Sequence, residues 1–187
     1  LQDRLTQKQF LSSCSIPVPD FAEVQSVHQL HHAIKRLGLP LICKTARSGY
    51  DGKGQWLIRQ SSEIAQFEQI LSTPSSGVRW IAEQVVTFVR ELSVLVVRSG
   101  NGETRVYPVV ENRHEQGILR DSVVPASISS SDAEAACELS VRAVAELHGV
   151  GIFCIELFQA QDGRLLINEI APRPHNSGHY TLDACTV

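Results

Sequence analysis

Apolar positions along this 187-residue chain switch between helical and strand spacing, and proline and glycine mark most of the switch points. The opening "LQDRLTQKQFLSS" carries a helical pattern that the two prolines of "SIPVPDF" break. Ser26 and Gln29 form a capping box ahead of Leu30, Ala33, Ile34 and Leu37, and Gly38 closes that helix. "LPLICKT" predicts a short buried strand, "QWLIR" a returning strand, and "SSEIAQFEQILS" a helix that buries Ile64, Phe67, Ile70 and Leu71. Three further strands are expected in "RWIAEQVV", "ELSVLVVRS" and "TRVYPVVE", with "NGE" as the turn between the last two. Ser131 and Glu134 predict the cap of a second long helix, with Ala136, Leu139, Ala143, Val144 and Leu147 spaced for burial and Gly149 at its end. Two strands and a polar loop complete the pattern. The expected fold class is α+β, in two lobes of about 15–85 and 86–187, with a ligand cleft between them.

Composition narrows the function. A formal net charge of -3 and a pI near 6.2 give no general attraction to nucleic acid or to an anionic membrane, so neither is an expected partner. Cys14, Cys43, Cys137, Cys154 and Cys185 are odd in number and form no CxxC pair, which predicts reduced thiols and a cytoplasmic protein. No run of about 18 apolar residues and no signal-peptide pattern occurs. The absence of methionine and the start within a helical pattern suggest a piece of a longer polypeptide.

The strongest chemical signal lies in "VGIFCIELFQAQDGRLLINEIAPRPHNSGH". If Asp162 and Gly163 are the central pair of a two-residue hairpin turn, Glu156 stands directly opposite Glu169. Alternation then puts both on one face with Ile152, Cys154, Leu165 and Ile167, where two ionised carboxylates repel and are costly to desolvate. A hard divalent cation such as magnesium resolves this. A wet face with one carboxyl protonated is the plain alternative, and a one-residue slip would break the register.

"RSGYDGKGQ" follows the strand "LPLICKT" and is not a Walker A motif, because Gly54 follows Lys53 where that motif needs Ser or Thr. A glycine-rich loop between two strands is either a flap whose amides close over phosphates or an ordinary hairpin tip. Lys44 requires an anionic partner if buried, or snorkels at a strand end. Glu83 and Glu91 of "EQVVTFVRE" either accept hydrogen bonds from a nucleoside or are simply solvated. His28 and His32 have the spacing of a metal pair but fall on the polar side of their helix and read as a solvated face. The loop "PRPHNSGH" gathers Arg173, His175, Asn176 and His179 after the carboxylate strand, donors that suit phosphate or bicarbonate.

In order, Arg4 in "DRLTQK", Lys44 in "ICKT", "GYDGKGQ", "EQVVTFVRE", "ENRHEQGIL" and "INEIAPRPHNSGHY" resemble the N5-carboxyaminoimidazole ribonucleotide synthetases of purine biosynthesis, a family of the ATP-grasp superfamily. The resemblance spans nearly the whole chain and is most specific in "GYDGKGQ" and "APRPHNSGH". It implies the ATP-grasp fold, with the nucleotide cleft between two α+β lobes. It also implies an ATP-dependent ligase that carboxylates 5-aminoimidazole ribonucleotide with bicarbonate through carboxyphosphate. By this resemblance Arg4 and Lys44 contact ATP phosphates, while Gly49, Tyr50, Asp51, Gly52, Lys53, Gly54 and Gln55 form a closing loop. Glu83, Gln84, Val85 and Val86 hold the adenine, Glu91 takes the ribose hydroxyls, and His114 lies beside the nucleotide. Glu156 and Glu169 hold magnesium, as one or two ions, with Asn168 adjacent. Tyr50 and Asp51 meet the aminoimidazole ribonucleotide, and Arg173, His175 and Asn176 orient bicarbonate and carboxyphosphate. One departure is Ala171, where many ATP-grasp enzymes carry a metal-binding Asn. The family also has an amino-terminal Rossmann-like domain and a carboxy-terminal domain, so residues 1–187 correspond to the central domain of a homodimeric parent, with little or no turnover alone. Another ATP-grasp ligase, a nucleotide-binding module without turnover and a metal-buffering scaffold are the competing readings.

Overall fold

The computed structural model describes residues 2–47, 54–73, 78–115 and 117–185, in two compact units. One unit comprises Gln2–Phe10 and Pro19–Val86, and the other takes Leu11–Val18 together with the chain from Thr87 onward. Residues 15–18, expected in the first lobe, therefore group with the second.

The helix α1 (Arg4–Ser13), of which the residues up to Phe10 belong to the first unit, begins at Asp3, whose Oδ1 accepts from the Thr6 amide at 3.0 Å. Then come β1 (Phe21–Val24), α2 (Val27–Leu37), β2 (Leu41–Thr45), β3 (Gln55–Ile58), α3 (Ile64–Ser72) and β4 (Trp80–Gln84). The strands form an antiparallel sheet in the order β1-β4-β2-β3. Its two faces are chemically different. On one, Leu41, Cys43, Ile58 and Ala82 pack with Leu30 and Ala33 of α2 and Phe67 of α3. On the other, Ile81 and Ala46 pack with Leu5 of α1. Ser26 caps α2 as expected, accepting from the Gln29 amide, but the Gln29 side chain returns to the Gln25 amide rather than to Ser26.

The second unit contains β5 (Phe88–Arg98), β6 (Thr104–Val106), β7 (Val110–Glu115), β8 (Ile118–Val123), α4 (Ser130–Glu146), β9 (Gly151–Ala160), β10 (Leu165–Ala171) and a four-residue helix, α5 (Thr181–Ala184). The sheet order is β10-β9-β5-β7-β8, and β6 adds to the far half of β5. "TRVYPVVE", expected as one strand, is two: Pro108 has no amide to donate, and the ladder breaks across Tyr107–Val109. The first turn of α4 is capped by Ser129, which accepts from the Asp132 amide at 3.1 Å; Ser131 and Glu134 lie inside the helix. That helix stops at Glu146, and His148, at φ 49°, takes the left-handed position expected of Gly149.

The hairpin joining β9 and β10 corrects the expected turn. Its loop has three residues, Gln161, Asp162 and Gly163: the Ala160 amide donates to the Arg164 carbonyl at 2.9 Å, and Gly163 is left-handed at φ 83°. The loop therefore pairs Leu165 with Gln159 and Ile167 with Leu157, one position away from the two-residue register. Asn168 is an extra residue in β10, and beyond it Glu169 pairs with Glu156 after all. Leu165 and Ile167, expected on the face of the glutamates, point to the opposite one.

Gly163→Val places a β-branched side chain at a positive φ, and we expect a cost of about 1–3 kcal/mol. This reads out as a lower urea midpoint with an unchanged slope.

Candidate functional site

In the first unit, strand register brings two predicted residues together. Ile42 pairs with Glu83 across β2 and β4, so Lys44, two residues on, shares that sheet face with Glu83. Lys44 Nζ donates to Glu83 Oε2 at 2.8 Å, and Glu83 is 2% exposed. The alternatives of a snorkelling Lys44 and a solvated Glu83 are thus both excluded. A second ammonium, Lys8 Nζ, lies 3.6 Å from Glu83 Oε1. Burial pushes the Glu83 carboxyl upward, but the charges of Lys44, Lys8 and Arg4 outweigh it and hold the group below its ordinary value of 4.5. Arg4 also donates to the Thr45 carbonyl at 3.2 Å, next to Lys44 in the chain. Sequence reading missed Lys8, although a signal was present: Leu5, Lys8 and Leu11 recur every three residues, which places Lys8 on the buried stripe of α1.

Other predicted residues of this unit have backbone roles. The Gln84 amide donates to the Asp20 carbonyl at 2.8 Å, the Val85 amide to Pro40 at 3.3 Å, and Val86 is half-buried beyond the end of β4. Gln55 pairs with Lys44 across β2 and β3. Gly54, at φ 71°, is needed where it stands, since a Cβ there would meet the Thr45 hydroxyl at 2.7 Å. Gly49, Tyr50, Asp51, Gly52 and Lys53 lie outside the described residues. His28 and His32 are exposed and line a cavity of about 360 Å³ with Glu23, Arg36 and Gln9. Among the described residues, no group of three or more histidine, cysteine or acidic side chains is arranged to hold a metal.

In the second unit, one sheet face carries the rest of the chemistry. Glu169 pairs with Glu156, which pairs with Ser93 of β5 on its other side. Both glutamates are partly buried. Two carboxylates paired across neighbouring strands form an all-oxygen donor set, which suits a hard cation and leaves further coordination positions to other ligands. The bulge residue Asn168 precedes Glu169, and Ala171 brings no further donor. His175 Nδ1 lies 2.9 Å from Glu156 Oε1, an assembly that spacing alone did not predict. Two other residues of that loop have local partners: Arg173 donates to the Pro174 carbonyl at 3.1 Å, and Asn176 Oδ1 accepts from the Ser177 amide at 3.0 Å.

Glu91 and His114 also meet on this unit. His114 Nδ1 stands 2.7 Å from Glu91 Oε2. Beside them runs a buried amide that sequence reading did not single out: Asn112 donates to Ser93 Oγ at 2.9 Å and accepts from Ser122 at 2.9 Å. The thiols are bystanders. All five are free, and burial pushes Cys43 and Cys154 up to about 12, far from the reactive thiolate.

The hydrogen bond to Glu91 raises His114 above its ordinary value of 6.5, with the charges of Glu91 and Glu156 reinforcing it against partial burial. A raised value means that the folded state favours the imidazolium. The stability it contributes is complete below pH 6.5 and is lost as pH rises through the folded-state value. We expect an NMR titration of His114 to show the elevation, and Glu91→Gln to lower it and flatten this part of the stability profile.

Comparison with known proteins follows the same lines. The ATP-grasp domain family matches residues 9–187. N5-carboxyaminoimidazole ribonucleotide synthase of Bacillus subtilis (strain 168) is 45% identical over 184 residues, 98% of this chain and 47% of that protein. The crystal structure of an ADP complex of N5-carboxyaminoimidazole ribonucleotide synthetase superposes with a TM-score of 0.92 at 41% identity, covering 100% of this chain and 48% of the other. The Aspergillus clavatus synthase, in complex with ADP and 5-aminoimidazole ribonucleotide, gives a TM-score of 0.86 at 31% identity over 97% of this chain and 47% of its own. The chain thus spans about half the length of the relatives it matches. With the family matched over nearly its whole length and the α+β architecture superposing on solved members, the chain belongs to the ATP-grasp family.

Proposed function

We propose that this chain is the nucleotide-binding part of an N5-carboxyaminoimidazole ribonucleotide synthetase, an ATP-dependent ligase that joins bicarbonate to 5-aminoimidazole ribonucleotide. The observation that carries this reading is the Glu156–Glu169 pair, two partly buried carboxylates set against each other by a hairpin whose bulge restores their register. A sheet face that keeps two like charges together is matched to a cation. Magnesium held by Glu156 and Glu169 would offset the charge of the β- and γ-phosphates.

The chain's own residues do the remaining work by binding and orientation. Lys44, held by Glu83, and Arg4, tied to the Thr45 carbonyl, take the phosphates. Glu83–Val86 present the adenine edge, and Glu91, steadied by His114, accepts from the ribose hydroxyls. Bicarbonate is a poor electrophile, so its oxygen first attacks the γ-phosphorus and ADP leaves. The carboxyphosphate passes its carboxyl group to the 5-amino group of the ribonucleotide, or releases CO2 for that amine to capture, and phosphate departs. Arg173, His175 and Asn176 orient the bicarbonate, and Tyr50 and Asp51 meet the ribonucleotide. Because water hydrolyses carboxyphosphate, the glycine loop of residues 49–55 serves to exclude it. A cytoplasmic, homodimeric parent enzyme belongs to the same proposal; the first part rests on the cysteine pattern and the second on the resemblance.

Titrating MgATP into the protein by calorimetry tests this, beside a Glu156→Gln/Glu169→Gln variant. We expect saturable binding weakened about a hundredfold or more in the variant, or roughly 3 kcal/mol. Equal affinities would refute the metal role of the pair. In the parent enzyme, bicarbonate-dependent ADP release on adding aminoimidazole ribonucleotide would support the ligase, and binding without release there would reduce the function to nucleotide binding.

A further inference from the structure

Lys8 stands one helical turn after Arg4 on α1, and its side chain is 2% exposed against 12% for Lys44. The Glu83 carboxylate is divided between them, Oε2 to Lys44 at 2.8 Å and Oε1 toward Lys8 at 3.6 Å. This division has an electrostatic consequence. Lys44, Lys8 and Arg4 all act on this one carboxylate, and each adds a positive charge to its surroundings, so loss of Lys8 lowers the attraction of this sheet face for an anion by one charge. Lys44 is the member with solvent access. Lys8 is enclosed, and its charge acts from beside the Glu83 carboxylate.

We propose that Lys8 is a positioning residue that keeps the surroundings of Lys44 cationic: its charge offsets that of Glu83, so that Glu83 holds Lys44 in place without neutralising it for an incoming phosphate. The inference rests on the nucleotide reading above and adds to it a residue that touches neither the nucleotide nor the metal.

Calorimetric titration of the intact protein with MgATP and, separately, with adenosine tests the idea in Lys8→Met, Lys8→Met/Glu83→Gln and Lys44→Ala. Methionine keeps the apolar stem, and Glu83 remains paired by Lys44. We expect Lys8→Met to weaken MgATP about tenfold while adenosine, which has no phosphates, changes by less than about twofold. In the double variant the amide keeps an acceptor for Lys44 but removes the negative charge, and MgATP affinity, taken relative to adenosine affinity in the same variant so that any change at the adenine cancels, should recover most of the loss. A purely structural role for Lys8 would weaken both ligands alike, and that result overturns the proposal. So does an unchanged MgATP affinity in Lys8→Met, or a double variant no better than the single. Failure of the nucleotide reading looks different: the wild type would then bind MgATP no more tightly than Lys44→Ala, and the proposal would fall with it.

Discussion

A carboxylate in a sheet face with almost no contact with water is stable only if cations reach it, and Glu83 is supplied from two distant parts of the chain: Lys44 from β2, and Lys8 with Arg4 from α1. Removing one member of such a buried pair costs roughly 3–5 kcal/mol, because the remaining charge is left uncompensated. The requirement therefore does more than fix a side chain. It specifies which face of the first sheet α1 must cover, and with which turn. Leu5 and Ile81 supply the apolar part of that packing, and the ion pairs supply its register.

Much of this fold was legible in its apolar spacing and apolar runs. α2 buries Leu30 and Ala33 at helical spacing and β2 alternates Leu41 and Cys43, whereas β5 and β9 are buried over successive residues and read as strands by their nearly continuous apolar runs. What escaped was short or polar. β1 has only four residues, too few to show a period, and β8 is largely exposed and has no apolar face to announce it. The cap of α4 fell among three consecutive serines, any of which has the right hydroxyl; the choice of Ser129 depends on where the preceding chain enters.

The candidate site was legible to a different degree. Charged residues inside apolar strands stand out, so Glu156, Glu169 and Lys44 could be picked out singly. Their partners could not be read so directly. Lys8 sits on a helix rich in polar residues, and the approach of His175 to Glu156 depends on the path of an irregular loop. The opposed glutamates are the instructive case: the pairing was correctly expected from a turn that does not exist, because two unforeseen one-residue changes cancel.

That cancellation says something about how such a hairpin can vary among related chains. The loop of residues 161–163 holds one residue more than a two-residue turn, and Asn168 absorbs the offset before the glutamates are reached. Strand residues 165–167 lie between these two events and simply face the other way, apolar on both readings. The bulge thus works as a vernier between an exposed turn and a charged pair. A deletion in the turn would upset the glutamates by itself, but not together with loss of the bulge, so insertions and deletions at these two places should be inherited as a pair.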